Sequence, residues 1–135
     1  MVYAVIDTNI FVSSFITKNQ TASTRRVVYS MFDGRIKPLY NDDILREYSE
    51  VLHQSKFHLT NKDIEQLIEF IKQNGIDAER FPYDGDMPDE DDGVFYEVAL
   101  NEEDSFLVTG NLKHFPHTPK VITAAQMMEI LDSDF

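Results

Sequence analysis

The sequence predicts an α/β protein: a three-layer α/β/α sandwich around a central, mostly parallel sheet of four or five short strands. Two observations carry this. Short Val/Ile-rich runs alternate with longer segments whose apolar residues recur every three to four positions. Strands separated by helices in this way join through right-handed crossovers and lie parallel. Asp7 and Asn111 also each sit just past the end of a predicted strand, where the functional groups of such sheets gather.

Taken in order, residues 2–6 form the first strand, and a helix over 9–17 follows directly. A second helix starts at Thr21 or Ser23, runs to about Phe32 and stops at Gly34. "RIKPLY" (35–40) is the next strand, which Pro38 assigns to an edge or an end. Asn41 or Asp42 caps a helix over 42–52 whose apolar face is Ile44, Leu45, Tyr48, Val51 and Leu52. Thr60, with Asp63 in a capping-box relation, starts a helix that Gly75 ends. Residues 76–90 read as a loop, and a helix runs from Asp91 or Asp92 to about Leu100. "SFLVT" (105–109) and "KVITA" (120–124) are strands, and Thr123 caps the last helix.

A length of 135 residues suits one domain over 1–135, and 42% hydrophobic residues suffice for a core. There is no cysteine, which excludes disulfides, thiolate zinc sites and a cysteine nucleophile. "MVYAVIDTN" has no basic segment of the signal-peptide kind, and no apolar run reaches membrane-spanning length. The expected setting is cytoplasmic, with no membrane association. The charge of −12 is unevenly spread: residues 81–112 hold ten acids and no Lys or Arg. Such a block is either a solvated acidic loop or a site that recruits cations first and phosphates through them.

Asp7, where the core begins, is a helix cap or a ligand held rigidly at a strand end. A phosphoaspartate phosphatase would need a second Asp two residues on, where Asn9 stands. Glu47 lies beside the apolar face of its helix, three residues from Ile44 and four from Val51. Asp92 falls on the buried line of Phe95 and Ala99, or is one of several acids complementing a helix N-terminus. Asn111 offers an amide oxygen to a hard cation, or is half of a Gly-Asn turn. Together these oxygens favour Mg²⁺ or Mn²⁺. The four histidines show no zinc-site spacing and read as surface residues, with His114 alone near the site.

"VIDTNIFVSS", "ILREYSEVLHQSKF", "DEDDGVFYEVAL" and "DSFLVTGNLKHFP" stand in this order along nearly the whole chain. In that order and at those separations they resemble the four motifs of PIN-domain ribonucleases, in the branch of VapC-like toxins from toxin–antitoxin pairs. The resemblance implies that Asp7, Glu47 and Asp92 are the acidic metal ligands, with Asn111 completing the catalytic set where many members carry Asp. Thr8, Asn9 and Thr109 would support the ligands by hydrogen bonds, and Asp89 and Asp91 could partly substitute for the missing acid. It implies Mg²⁺- or Mn²⁺-dependent hydrolysis of RNA, a cognate antitoxin and a homodimer. Lys18, Arg25, Arg26, Lys56 and Lys113 are the candidate contacts to the RNA backbone. The competing reading is a weakly active or inactive PIN scaffold that binds a cation and a protein partner.

Overall fold

The computed structural model describes residues 1–133; the last two positions of the expected 1–135 span lie outside them. Five strands form one sheet: β1 (Val2–Ile6), β2 (Ile36–Tyr40), β3 (Ile76–Asp77), β4 (Ser105–Val108) and β5 (Val121–Ile122). Their order is β3-β2-β1-β4-β5, and every pairing is parallel. Six helices complete the α/β/α sandwich: α1 (Thr8–Ile16), α2 (Ser23–Phe32), α3 (Asp42–Leu52), α4 (Asn61–Asn74), α5 (Gly93–Asn101) and α6 (Ala124–Ser133).

β1 lies at the centre because Ala4, Val5 and Ile6 are apolar in succession and wholly buried, as a strand covered on both faces requires. The chain leaves β1 toward β2 on one side and leaves β4 toward β5 on the other. The neighbouring ends of β1 and β4 are therefore a topological switch point, where a crevice opens beyond the sheet. "DTN" and "TGN" lie on its two walls.

The helix boundaries follow local chemistry. Asn41 caps α3 by accepting from the Ile44 N–H at 2.8 Å. Thr60 caps α4 by accepting from Asp63 at 3.1 Å. The reciprocal capping box forms instead at α6, where Thr123 and Gln126 exchange backbone-to-side-chain bonds of 2.8 and 3.1 Å. Gly34 ends α2 with a positive φ of 83° that favours glycine.

Three expectations need correction. β2 is not an edge strand, because residues 76–77, read as loop, add β3 outside it. The alternation set by Val2 N–H to Arg35 O and Ala78 N–H to Tyr40 O turns the Pro38 nitrogen toward β3, at a level before β3 begins. Proline is tolerated there because no ladder bond is lost. Asp92 does not lie within a regular helix: residues Glu90–Asp92 form a 3-10 turn, and Asp92 occupies the position just before α5. Short 3-10 turns also occupy Ser55–Phe57 and Leu112–His114. Among the described residues no helix is long and apolar enough to cross a membrane.

Gly75 joins α4 to β3 where the backbones of α4 and β2 leave no room for a side chain. A Cβ there would lie 2.5 Å from the Pro38 carbonyl oxygen and 2.6 Å from that of Ile71, both backbone atoms. Gly75→Ala should therefore force a backbone shift and cost about 1–3 kcal/mol of stability. Urea unfolding would register this as a lower midpoint with an unchanged slope.

Candidate functional site

Asp7 follows β1 immediately, and its N–H continues the ladder by donating to the Val108 carbonyl at 2.9 Å. Only 4% of the residue is exposed. Its Oδ2 accepts from the Thr109 hydroxyl at 2.8 Å and from the Asn9 amide at 3.0 Å. The Thr8 N–H also supports the carboxylate. Although Asp7 stands at the N-cap position of α1, its side chain makes none of the usual capping bonds, so the cap reading is set aside. The carboxylate is held from the crevice walls instead.

Asn9 and Thr109 bind the two walls together. While the Asn9 amide donates to Asp7, its Oδ1 accepts from the Gly110 N–H at 3.0 Å. Wholly buried Thr109 accepts from the Asn111 N–H at 2.9 Å and passes its own proton toward Asp7. Thr8 contributes through its backbone alone. Its hydroxyl oxygen is buried with no hydrogen-bond partner, an orphan next to Asp7 of the kind an unseen polar ligand satisfies.

Glu47 is half-buried on α3, as its position beside the apolar face predicts. Its neighbour Tyr48 fixes that helix to the sheet. The Tyr48 hydroxyl donates to the Ile6 carbonyl, one residue before Asp7. Its ring meets Phe11 of α1 edge-on at 5.0 Å and lies 6.2 Å from Phe95 of α5. Sequence reasoning counted Tyr48 only as part of an apolar stripe. A tyrosine rather than a leucine on the fully buried line was the available signal, since a buried hydroxyl needs a partner.

Asp92 enters from the opposite side, with 17% of its side chain exposed. Its Oδ2 lies 2.9 Å from Nδ1 of His114, and Asp89 Oδ2 lies 3.5 Å from the same nitrogen. Spacing rules for zinc sites pass over this trio because Asp89 and Asp92 precede α5 while His114 follows β4. Asp89 also accepts from the Asp91 N–H at 3.0 Å, which makes it the cap of the 3-10 turn. Asp91 is exposed, and Asn111 is exposed with only its backbone engaged.

Charge links the three carboxylates. Burial pushes Asp7 up from 3.8 to about 6, partly resisted by Thr109, and the charge of Asp92 adds to the rise. Glu47 is raised by burial first, then by Asp92, Glu50 and Asp91. Asp92 is raised by burial, with His114 opposing and Asp89 and Asp91 adding. Among the described residues no Lys or Arg forms an ion pair with any of the three. Three carboxylates in one field with no Lys or Arg partner are costly, and a hard divalent cation is the group such oxygens suit.

The candidate RNA contacts are dispersed. Lys113 stands beside His114 in the turn after Asn111. Lys18 is exposed just beyond α1, and Lys56 lies over the Phe57 ring at 5.2 Å. Arg25 is committed to the C-terminal end of α1, donating to the carbonyls of Ser14 and Thr17. Arg26 pairs with Asp132 at 3.4 Å.

The fold and this acidic crevice define a class: parallel α/β proteins with carboxylates grouped at a sheet switch point. A family model described as PIN domain matches residues 3–113, and the chain belongs to the PIN-domain family. PIN domains have a nuclease fold and are generally metal-dependent nucleases. The match spans Asp7, Glu47, Asp92 and Asn111 and stops one residue before His114. No curated protein and no solved structure matches the chain.

Two outcomes are expected. Tyr48→Phe leaves the Ile6 carbonyl without its donor and should lower stability by about 1–3 kcal/mol in urea unfolding. Asp7 favours folding while neutral: because its folded pKa is raised, its contribution is full below 3.8 and is lost as pH climbs through about 6. In chelator-treated buffer at about pH 7, Asp7→Asn should therefore be more stable than wild type by about 1–3 kcal/mol. Denaturation series should show that advantage vanishing by about pH 4.

Proposed function

We propose that the protein is a Mg²⁺- or Mn²⁺-dependent endoribonuclease acting as the toxin of a toxin–antitoxin pair. The observation that carries the nuclease reading is the electrostatic coupling of Asp7, Glu47 and Asp92. The charge of Asp92 acts on both Asp7 and Glu47, the three sit on separate elements, and among the described residues no Lys or Arg forms an ion pair with any of them. In this reading the three would hold the cation, and Asn111 would contribute its amide oxygen from the β4 side.

A bound Mg²⁺ or Mn²⁺ would supply Lewis-acid polarisation of the phosphodiester and a water of lowered pKa. The chain's own residues supply orientation and field. Thr109 and Asn9 both donate to Oδ2 of Asp7 and so fix the orientation of the carboxylate. Asp89 and Asp91 deepen the negative potential around Asp92. That field repels phosphate until a cation is present, which makes cleavage strictly cation-dependent. Lys113, two residues after Asn111 and beside His114, is the first candidate for the RNA backbone. A protein antitoxin, a homodimer and a cytoplasmic setting belong to the same reading, which takes residues 1–135 as one PIN domain.

Asn111 favours a second reading, a scaffold that binds a cation and a protein partner with little turnover. An amide ligand carries no charge, so it attracts a second cation less than the Asp that many members carry.

Purified protein with Mn²⁺ should cut members of a broad RNA panel, and Asp7→Asn should slow cutting by about 10²-fold or more. An uncut panel, or equal rates for wild type and Asp7→Asn, would sink the nuclease reading. Faster cutting by Asn111→Asp would identify a slow enzyme. Calorimetric Mn²⁺ binding without cleavage, together with a stable partner complex, would favour the scaffold.

A further inference from the structure

We propose that Asp89, Asp92 and His114 form a second cation site, selective for a borderline ion of the zinc class. Its occupation would draw Asp92 away from Asp7 and Glu47. One ligand atom from each of the three residues lies within 4.8 Å of the others. The two measured separations from His114 Nδ1 are 2.9 Å to Asp92 and 3.5 Å to Asp89. A tetrahedral zinc ion with bonds of about 2.0–2.2 Å sets its ligands about 3.3–3.6 Å apart. The Asp89 separation lies within that spacing, and the hydrogen-bonded Asp92–His114 pair would have to open to admit the ion.

The donor set decides the class of ion. Asp7, Glu47 and Asp92 offer oxygen alone, which suits Mg²⁺ and Mn²⁺. Adding an imidazole nitrogen shifts preference toward Zn²⁺ and Co²⁺. The three side chains are also partly ordered beforehand. Oδ1 of Asp89 is occupied by the Asp91 N–H, while Oδ2 is the oxygen near His114. His114 is set by its turn, whose N–H donates to the Asn111 carbonyl at 3.0 Å. All three side chains are between buried and exposed, so an ion can reach them from solvent.

Asp92 belongs to both sets. On the nuclease reading, zinc held by Asp89, Asp92 and His114 inhibits, because the hard cation then loses one of its three carboxylates. That consequence rests on the proposed function; the zinc site itself does not.

The test is calorimetric titration with Zn²⁺ alone, repeated with Co²⁺ and read by its visible absorption. Wild type and Asp7→Asn should each bind one ion with similar affinity. His114→Ala and Asp89→Asn should bind about tenfold more weakly or worse, with circular dichroism confirming that both remain folded. His114→Gln, which keeps a similar volume without the imidazole, should behave like His114→Ala. Zinc binding to His114→Ala at wild-type affinity would overturn the site and assign the ion to another surface histidine. Loss of binding in Asp7→Asn would overturn it too, since the ion would then occupy the all-oxygen set. If zinc binds as expected but no RNA is cut under Mn²⁺, the nuclease reading fails and the zinc site stands.

Discussion

The geometry of the acidic crevice depends on one buried contact, the Tyr48 hydroxyl on the Ile6 carbonyl. Ile6 is the last residue of β1, so its carbonyl has no complete ladder to bond. A phenol supplied by α3 satisfies it and brings that helix against the strand end. The same ring packs on Phe11 of α1 and lies near Phe95 of α5. Asp7 precedes α1, Glu47 is next to Tyr48 on α3, and Asp92 precedes α5. One tyrosine therefore ties together the three elements that carry the three carboxylates. Its own ionisation is suppressed by burial and by the charge of Asp7, so it remains a donor throughout the ordinary pH range.

That arrangement works against the stability of the metal-free protein. Burial alone makes an ionised Asp7 unfavourable, and the charge of Asp92 adds to it rather than relieving it. Thr109 and Asn9 recover part of the loss through hydrogen bonds that favour the charged form. The same two residues fasten β4 to β1 beyond the ends of the ladder, because Asn9 accepts from Gly110 and Thr109 donates to Asp7. Removing either hydrogen-bonding group would thus loosen the crevice wall as well as the carboxylate.

Much of this was legible in the sequence where a residue's role is local. The apolar run ending at Asp7 reads as a buried strand because nothing charged interrupts it. Asn41, Thr60 and Thr123 announce their helices because capping needs only residues three apart. The two-residue β3 was not legible, since Ile76 and Asp77 pair with β2 only because Gly75 lets α4 close against Pro38. Pro38 consequently looked like an edge signal, when only one side of one residue needed to be free of the ladder. At the site, Asp7, Glu47 and Asp92 could be picked out by their place relative to strand ends and apolar faces. His114 could be placed near them, but its contact with Asp89 and Asp92 joins two loops separated by α5 and β4. Spacing along the chain carries no record of such a contact.

The acidic block over 81–112 is likewise not one thing. Its distal acids are anchored by cations or serve the backbone. Glu97 takes two hydrogen bonds from Arg80, which also pairs with Asp43. Lys120 reaches the backbone carbonyls of Glu102, Glu103 and Ser105, closing the turn between α5 and β4 at the cost of a lowered pKa. Asp89 and Asp92 have only His114 opposite them, and Asp91 has no ion pair among the described residues. Among the described residues Asp89, Asp91 and Asp92 form no ion pair with Lys or Arg. Asp7 and Glu47 already resist ionisation and Asp92 adds its charge to both, so a divalent cation bound there would relieve part of that penalty.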